Sequence, residues 1–200
     1  MHENPLFNRN DVVIEQEDIV YQGFFSLKQY RLRHRLFAGG WSAPILREVF
    51  ARGGAVGVLL YDPKQKAVVL VEQFRPGALN DPISPWIIEI VAGSIPAGET
   101  PKDVAIKEIY EETGLHVTNV QPMVSYYASP GSNAEKFHLF YAIIDASLAS
   151  GIHGLKDEHE DIHVRVFSLE ACNRALAEGN VNNAMTLIAL QWLQLHHQEL

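Results

Sequence analysis

Glu108, Glu111 and Glu112 stand within five positions of one another in the stretch AIKEIYEETG, residues 105–114. On a helix, Glu111 lies about 60° to one side of Glu108 and Glu112 about 40° to the other, so the three carboxylates share one arc. Like charges at this spacing repel, and each pair costs an isolated helix a few tenths of a kcal/mol. A divalent cation removes that cost, because hard ions such as Mg²⁺ take carboxylate oxygens together with substrate phosphates. Two readings follow from these residues alone: a solvated acidic face, or a metal site for phosphate chemistry.

The helix that carries them is delimited by its own residues. Thr100 suits the N-cap, Pro101 the first helical position, and Asp103 the acidic first turn. Gly114 is a natural stop. The spacing predicts a helix over about 101–113, with Ile106, Ile109 and Tyr110 on the packing side.

Around it the chain is strand-rich. DVVIEQEDIVYQ, FFSLKQYRLRHRLF and ILREVFA carry β-branched, aromatic or alternating residues. AVGVLLYD and KAVVLVEQF flank DPKQ, a hairpin signature. WIIEIVAG reads as one strand after the proline-rich loop PGALNDPISP. HVTNVQPMVSYYA, KFHLFYAIIDA and IHVRVFSL read as further strands, and SLEACNRALAEG and NNAMTLIALQWLQLHH as closing helices, the latter with Leu187, Leu190 and Leu193 as a core stripe. The pattern is α+β: a mixed sheet with helices against it, behind a β-rich N-terminal section. We expect two domains, at 1–52 and 53–200.

Composition narrows the class. The 200 residues are 47% hydrophobic and 20% charged, with net charge −8, which argues against a nucleic-acid binder. Cys172 is the only cysteine, so neither a disulfide within the chain nor a cysteine-based zinc site is possible. The histidines, His153 and His163 among them, lack zinc spacing. No apolar run suits a membrane span and no signal peptide is evident. A cytoplasmic location is expected.

The stretch GSIPAGETPKDVAIKEIYEETGL, residues 93–115, resembles the Nudix box. Gly93, Glu99, Glu108, Ile109, Glu111, Glu112, Gly114 and Leu115 fall in register with it, and Lys107 stands where the family usually has Arg. The resemblance implies an α/β/α sandwich with a mixed sheet, and hydrolysis of nucleoside diphosphates linked to another moiety. It implies Glu108 and Glu112 as metal ligands with Glu111 beside them, the Ala92 carbonyl as a further ligand, and a Glu99–Lys107 ion pair that orients the helix. The implied cofactor is Mg²⁺ or Mn²⁺, with about two or three ions per site.

Pro130, in Ser129-Pro130-Gly131, lies 16 residues after Gly114, the offset that marks the ADP-ribose pyrophosphatase subgroup. By that resemblance the acidic loop Asp157-Glu158-His159-Glu160-Asp161 supplies the base, Glu158, and an additional metal ligand, Glu160. His159 competes as base on its ordinary pKa, but in an extended segment it would point the other way. Arg75, then Arg47 and Arg52, are the candidate cations for substrate phosphates. Phe24 and Phe25 are candidates for stacking on adenine, with core packing the expectation for at least one. The subgroup also implies a homodimer, joined by the N-terminal β section, which helps build the adenosine pocket. The expected substrate is ADP-ribose. GDP-mannose, a UDP-sugar or a dinucleoside polyphosphate are the alternatives within the family, and a catalytically inactive nucleotide-binding module is the alternative outside enzymes.

Overall fold

The computed structural model describes residues 5–200. It divides into two compact units. The first holds the chain up to Gly53 together with 127–136, and the second holds 54–126 and 137–200. The segment 127–136 therefore belongs with the N-terminal section, whereas the contiguous domain expected over 53–200 would have kept it in the second.

The first unit is an antiparallel sheet of β1 (Val12–Gln22), β2 (Ser26–His34) and β3 (Ile45–Ala51), in that order. Glu15 pairs with both Arg31 and Arg33, and Glu17 with Lys28, across β1 and β2. None of the residues in the three strands is buried. The turn after Ser129 is hung on β3: the Phe50 amide donates to the Ser132 carbonyl at 2.8 Å, and the Ala134 amide donates to the Phe50 carbonyl at 3.1 Å.

The second unit holds β4 (Ala55–Asp62), β5 (Ala67–Phe74), β6 (Trp86–Glu89), β7 (Val91–Ser94), α1 (Pro101–Thr113), β8 (Gln121–Tyr127) and β9 (Lys136–Ile143) except for their end residues Tyr127 and Lys136, β10 (Ile152–His153), β11 (Ile162–Ser168), α2 (Leu169–Glu178) and α3 (Ala184–His196). The main strand order is β10-β11-β5-β4-β9-β8, and β4 pairs with β9 in parallel. Alternation along the strands builds two apolar layers. Val56, Val58, Leu60, Val69 and Val71 pack with Val104, Ala105 and Ile109 of α1. Leu59, Tyr61, Val68 and Leu70 pack with Cys172 of α2 and with Ala189, Leu190 and Leu193 of α3. The unit is thus the expected α/β/α sandwich around a mixed sheet.

One break in that sheet makes room for the site. β4 and β5 pair only at Leu60–Asp62 with Ala67–Val69, then diverge. β6 pairs with β5 and β7 with β4 in the widening gap. WIIEIVAG is therefore two strands, interrupted at Ile90. The amide of Ile90 donates instead to Thr186 Oγ1 of α3 at 3.0 Å, so the break leaves no buried donor unpaired. The 116–120 stretch, expected as the start of a strand, is irregular, and β8 begins at Gln121. Among the described residues no helix is long and apolar enough to cross a membrane.

Candidate active site

α1 forms where its capping residues predict. Thr100 Oγ1 accepts from the Asp103 amide at 3.2 Å, Pro101 opens the helix, and Gly114 closes it at φ 70°. Its orientation on the sheet differs from a simple amphipathic reading. Glu112 is 3% exposed while Tyr110, expected on the packing side, is 53% exposed and lies beside His116. The inward face of the last two turns is therefore part carboxylate. It faces β7, where the Ala92 amide donates to Glu112 Oε2 at 3.2 Å. Glu108 lies against Gly93, so closely that a Cβ at that position would collide with its carboxylate.

The electrostatics follow from crowding acids in a partly dry site. Burial, then the charge of Glu111, pushes the Glu108 carboxyl up to about 7. Glu160 and Glu158 push the same way and Lys107 opposes them. Burial and then Glu108 hold Glu112 well above the usual carboxylate range, against the Ala92 amide and Arg75. Carboxylates from α1 and from the 154–161 loop thus act on one another.

That loop is latched to α1. The Gly154 amide donates to the Glu111 carbonyl at 3.0 Å, and Glu160 Oε2 accepts from the Leu155 amide at 3.0 Å. Gly154 sits at φ 103°, where a Cβ would lie 2.6 Å from that of Glu160, so both backbone and space require glycine. Lys156–Glu158 forms a 3-10 turn and His159 is left-handed at φ 57°. The segment is not extended, which removes the geometric ground for ranking His159 below Glu158. Both side chains are exposed.

Lys107 pairs with Glu111 at 3.4 Å, not with Glu99 as expected. The i,i+4 spacing brings those two together on the helix surface, while Glu99 precedes the helix. Burial pulls the Lys107 pKa down, but Glu111, Glu108 and Glu99 together leave it raised. Glu99 therefore acts on Lys107 through space, without an ion pair.

Arg75, at the end of β5, donates from Nε to Glu89 Oε2 at 2.6 Å. Glu89, in β6, is 3% exposed, and its other oxygen accepts from Asn183 Nδ2. Neither Glu89 nor Asn183 was singled out from sequence. The available signal was a charged residue inside the apolar run WIIEIVAG, since a buried charge needs a partner.

The other candidates lie in the first unit. Arg52 is 3.3 Å from Glu135 and stands over the Phe25 ring. Phe25 is half-buried between Phe24 and Phe50, while Phe24 is 91% exposed. Arg47 bonds the Leu46 carbonyl. Ser129, Pro130 and Gly131 are an exposed turn closed by the Ser132 and Asn133 amides on the Ser129 carbonyl. The second unit therefore gathers Arg75, Ala92, Glu108, Glu111, Glu112, Glu158 and Glu160, and the first holds Arg47, Arg52, Phe24, Phe25 and Ser129–Gly131.

A family model described as the NUDIX domain matches residues 51–187. The chain belongs to the Nudix family. Among its relatives, the ADP-ribose pyrophosphatase of Escherichia coli (strain K12) is 49% identical over 194 residues, 97% of this chain and 93% of that protein. The ADP-ribose pyrophosphatase of Haemophilus influenzae is 43% identical over 203 residues, covering 100% and 94%. The GDP-mannose pyrophosphatase of Escherichia coli O1:K1 is 35% identical over 153 residues, covering 76% and 78%. A solved structure described as an ADP compounds hydrolase superposes with a TM-score of 0.72 at 16% identity, over 94% of this chain and 95% of that one; it supports the fold alone.

Nudix hydrolases generally require divalent metal ions. The donor set here fits one: burial and neighbouring carboxylates hold the pKa values of Glu108 and Glu112 up, a cost that a cation relieves as well as protons do. Among the described residues no group of three or more His, Cys, Asp or Glu is arranged as a finished cage. An ion that keeps waters and shares substrate phosphates does not require one.

Proposed function

We propose that this Nudix protein hydrolyses the pyrophosphate of ADP-ribose to AMP and ribose 5-phosphate. The observation that carries the reading is 49% identity over 97% of the chain to a protein named ADP-ribose pyrophosphatase, with the carboxylate helix intact. Glu108 and Glu112, with the Ala92 carbonyl and Glu160, hold the metal, which we take to be Mg²⁺ or Mn²⁺ at about two or three ions per site. When bound, such ions neutralise phosphate charge and lower the pKa of a coordinated water.

The chain's own residues do the rest. Glu111 adds negative charge beside the ligands and is itself restrained by Lys107. Glu158, exposed on its turn, accepts the proton of the attacking water. Arg75 binds a phosphate oxygen with the nitrogens that Glu89 leaves unused. Arg47 and Arg52 are the further cations for the substrate phosphates, Phe24 and Phe25 the candidates for stacking on adenine, and Ser129, Pro130 and Gly131 further substrate contacts. We further propose a homodimer joined through the β1–β3 sheet. The sheet has no buried residue and exposes Ile14, Ile19, Tyr21 and Leu46, and such apolar surface favours association. The reaction is assigned to the cytoplasm.

The second reading within the family is GDP-mannose, favoured by the relative of that name at 35% identity. The test is kcat/KM with Mg²⁺ for ADP-ribose, GDP-mannose, a UDP-sugar and a dinucleoside polyphosphate. ADP-ribose should lead by about tenfold or more. A higher value for GDP-mannose reverses the assignment.

A further inference from the structure

Glu89 is a buried carboxylate with an unusual set of partners. Its Oε2 accepts from Arg75 Nε at 2.6 Å and its Oε1 from Asn183 Nδ2. Asn183 is the N-cap of α3: its Oδ1 accepts from the Thr186 amide at 2.9 Å and from Thr186 Oγ1 at 3.0 Å. Thr186 Oγ1 in turn accepts from the Ile90 amide, beside Glu89. The result is a closed ring of hydrogen bonds between the β6–β7 break and the start of α3, with Arg75 as its one outward projection. Arg75 is 39% exposed on its side chain and lines a cleft of about 380 Å³ with Gly77, Asn80 and Asn182. Among the described residues its two terminal nitrogens have no hydrogen-bond partner, and its charge already acts on Glu112.

A buried carboxylate costs stability unless something compensates it. Both oxygens of Glu89 accept here, one from Arg75 Nε and one from Asn183 Nδ2, so a Gln at 89, with one acceptor and an amide group that only donates, would leave one of the two bonds unmade. What the charge adds is a fixed grip on one face of a guanidinium, through Nε, with the terminal fork left open for a second anion.

We propose that Glu89 and Asn183 are positioning residues that hold Arg75 for a diphosphate oxygen of the substrate, and so make the N-terminus of α3 part of the substrate-binding apparatus. This rests on the reading of the site as one for a nucleoside diphosphate ester.

The test compares Glu89→Gln and Asn183→Ser with wild type by three readouts: Tm, steady-state kinetics with ADP-ribose and Mg²⁺, and calorimetric binding of ADP. Ser caps a helix as well as Asn does but is too short to reach Glu89, so Asn183→Ser separates capping from the grip on Glu89. In Glu89→Gln we expect KM and the Kd for ADP to rise about tenfold or more, with kcat less affected; Tm does not decide here, because the hydrogen bond lost and the buried charge removed act in opposite directions. Asn183→Ser should show a smaller rise in both at near-normal Tm. Unchanged KM and Kd in Glu89→Gln, whatever its Tm, mark a purely structural role and overturn the proposal. If wild type fails to hydrolyse ADP-ribose, the substrate reading falls alone, and ADP binding still decides between the variants. A wild type that does not bind ADP overturns both.

Discussion

The carboxylate of Glu108 occupies the space that a side chain on Gly93 would fill. The first glycine of the box is thus explained by contact. β7 must pass within touching distance of α1 so that a carboxylate can lie on bare backbone beside Ala92. Gly93→Ala has to push Glu108 aside. We expect kcat to fall about a hundredfold, the cost of displacing the proposed metal ligand by about an ångström, with a modest loss of Tm. Near-normal turnover in that variant, measured with Mg²⁺, would refute the contact.

Glu112 is held in the site against its own electrostatic preference. Burial and Glu108 both disfavour its ionised form, so it is retained at a cost to stability. In Glu112→Gln the metal-free protein should melt at or above the wild-type temperature at pH 7.5. Turnover should fall about a thousandfold or more, and the rise in Tm that Mg²⁺ gives wild type should shrink. A variant that melts well below wild type without metal would show that the carboxylate is structural.

The 3-10 turn at 156–158 leaves Glu158 exposed, and among the described residues its carboxylate has no hydrogen bond to lose. Glu158→Gln should therefore leave Tm unchanged. It should lower kcat about a hundred- to ten-thousandfold with little change in KM, as expected for loss of a general base. His159→Ala is the control. A larger loss there than in Glu158→Gln would move the role to the imidazole, which the turn leaves equally exposed.

Most of α1 was legible because local rules determine it: Thr100, Pro101 and Gly114 place both ends. The metal role proposed for Glu108 and Glu112 rests on their register with Gly93 and Glu99. What stayed hidden depends on contacts distant in sequence. Ile90 interrupts a strand where its amide donates to Thr186 Oγ1, far along the chain. Glu112 is buried and Tyr110 exposed because the sheet presents Ala92 and Gly93 to α1, which helical periodicity cannot reveal. Asn183 looks like an ordinary cap until its amide is seen on Glu89.

Lys107 illustrates the same limit. Its pairing with Glu111 is a partly exposed i,i+4 contact, and such pairs contribute about 0.5 kcal/mol or less. The shift from the usual Arg to Lys should therefore matter little. Lys107→Arg is expected to keep kcat/KM within about twofold of wild type or raise it. A large loss of activity would assign Lys107 a role that its contact with Glu111 does not account for.

Asp62 ties the β4–β5 turn to the segment after β9. Its carboxylate accepts from the amides of Lys64 at 2.9 Å, Gln65 at 3.0 Å and Ala146 at 2.9 Å. The Ala146 bond, then that of Gln65, holds its pKa below the ordinary value of 3.8 against the effect of burial. A carboxyl whose folded pKa is depressed binds its proton more tightly in the unfolded chain. Its contribution is therefore complete above the unfolded pKa of about 4 and is lost as pH falls through the folded value. Asp62→Asn should lose about 1–3 kcal/mol at pH 7, the cost of weakening several amide-to-carboxylate bonds in a buried turn. The gap between variant and wild type should narrow as pH is lowered below about 4. Urea unfolding at pH 7 and at pH 3 measures both; a gap that is constant across that range would mean that the charge on Asp62 contributes nothing.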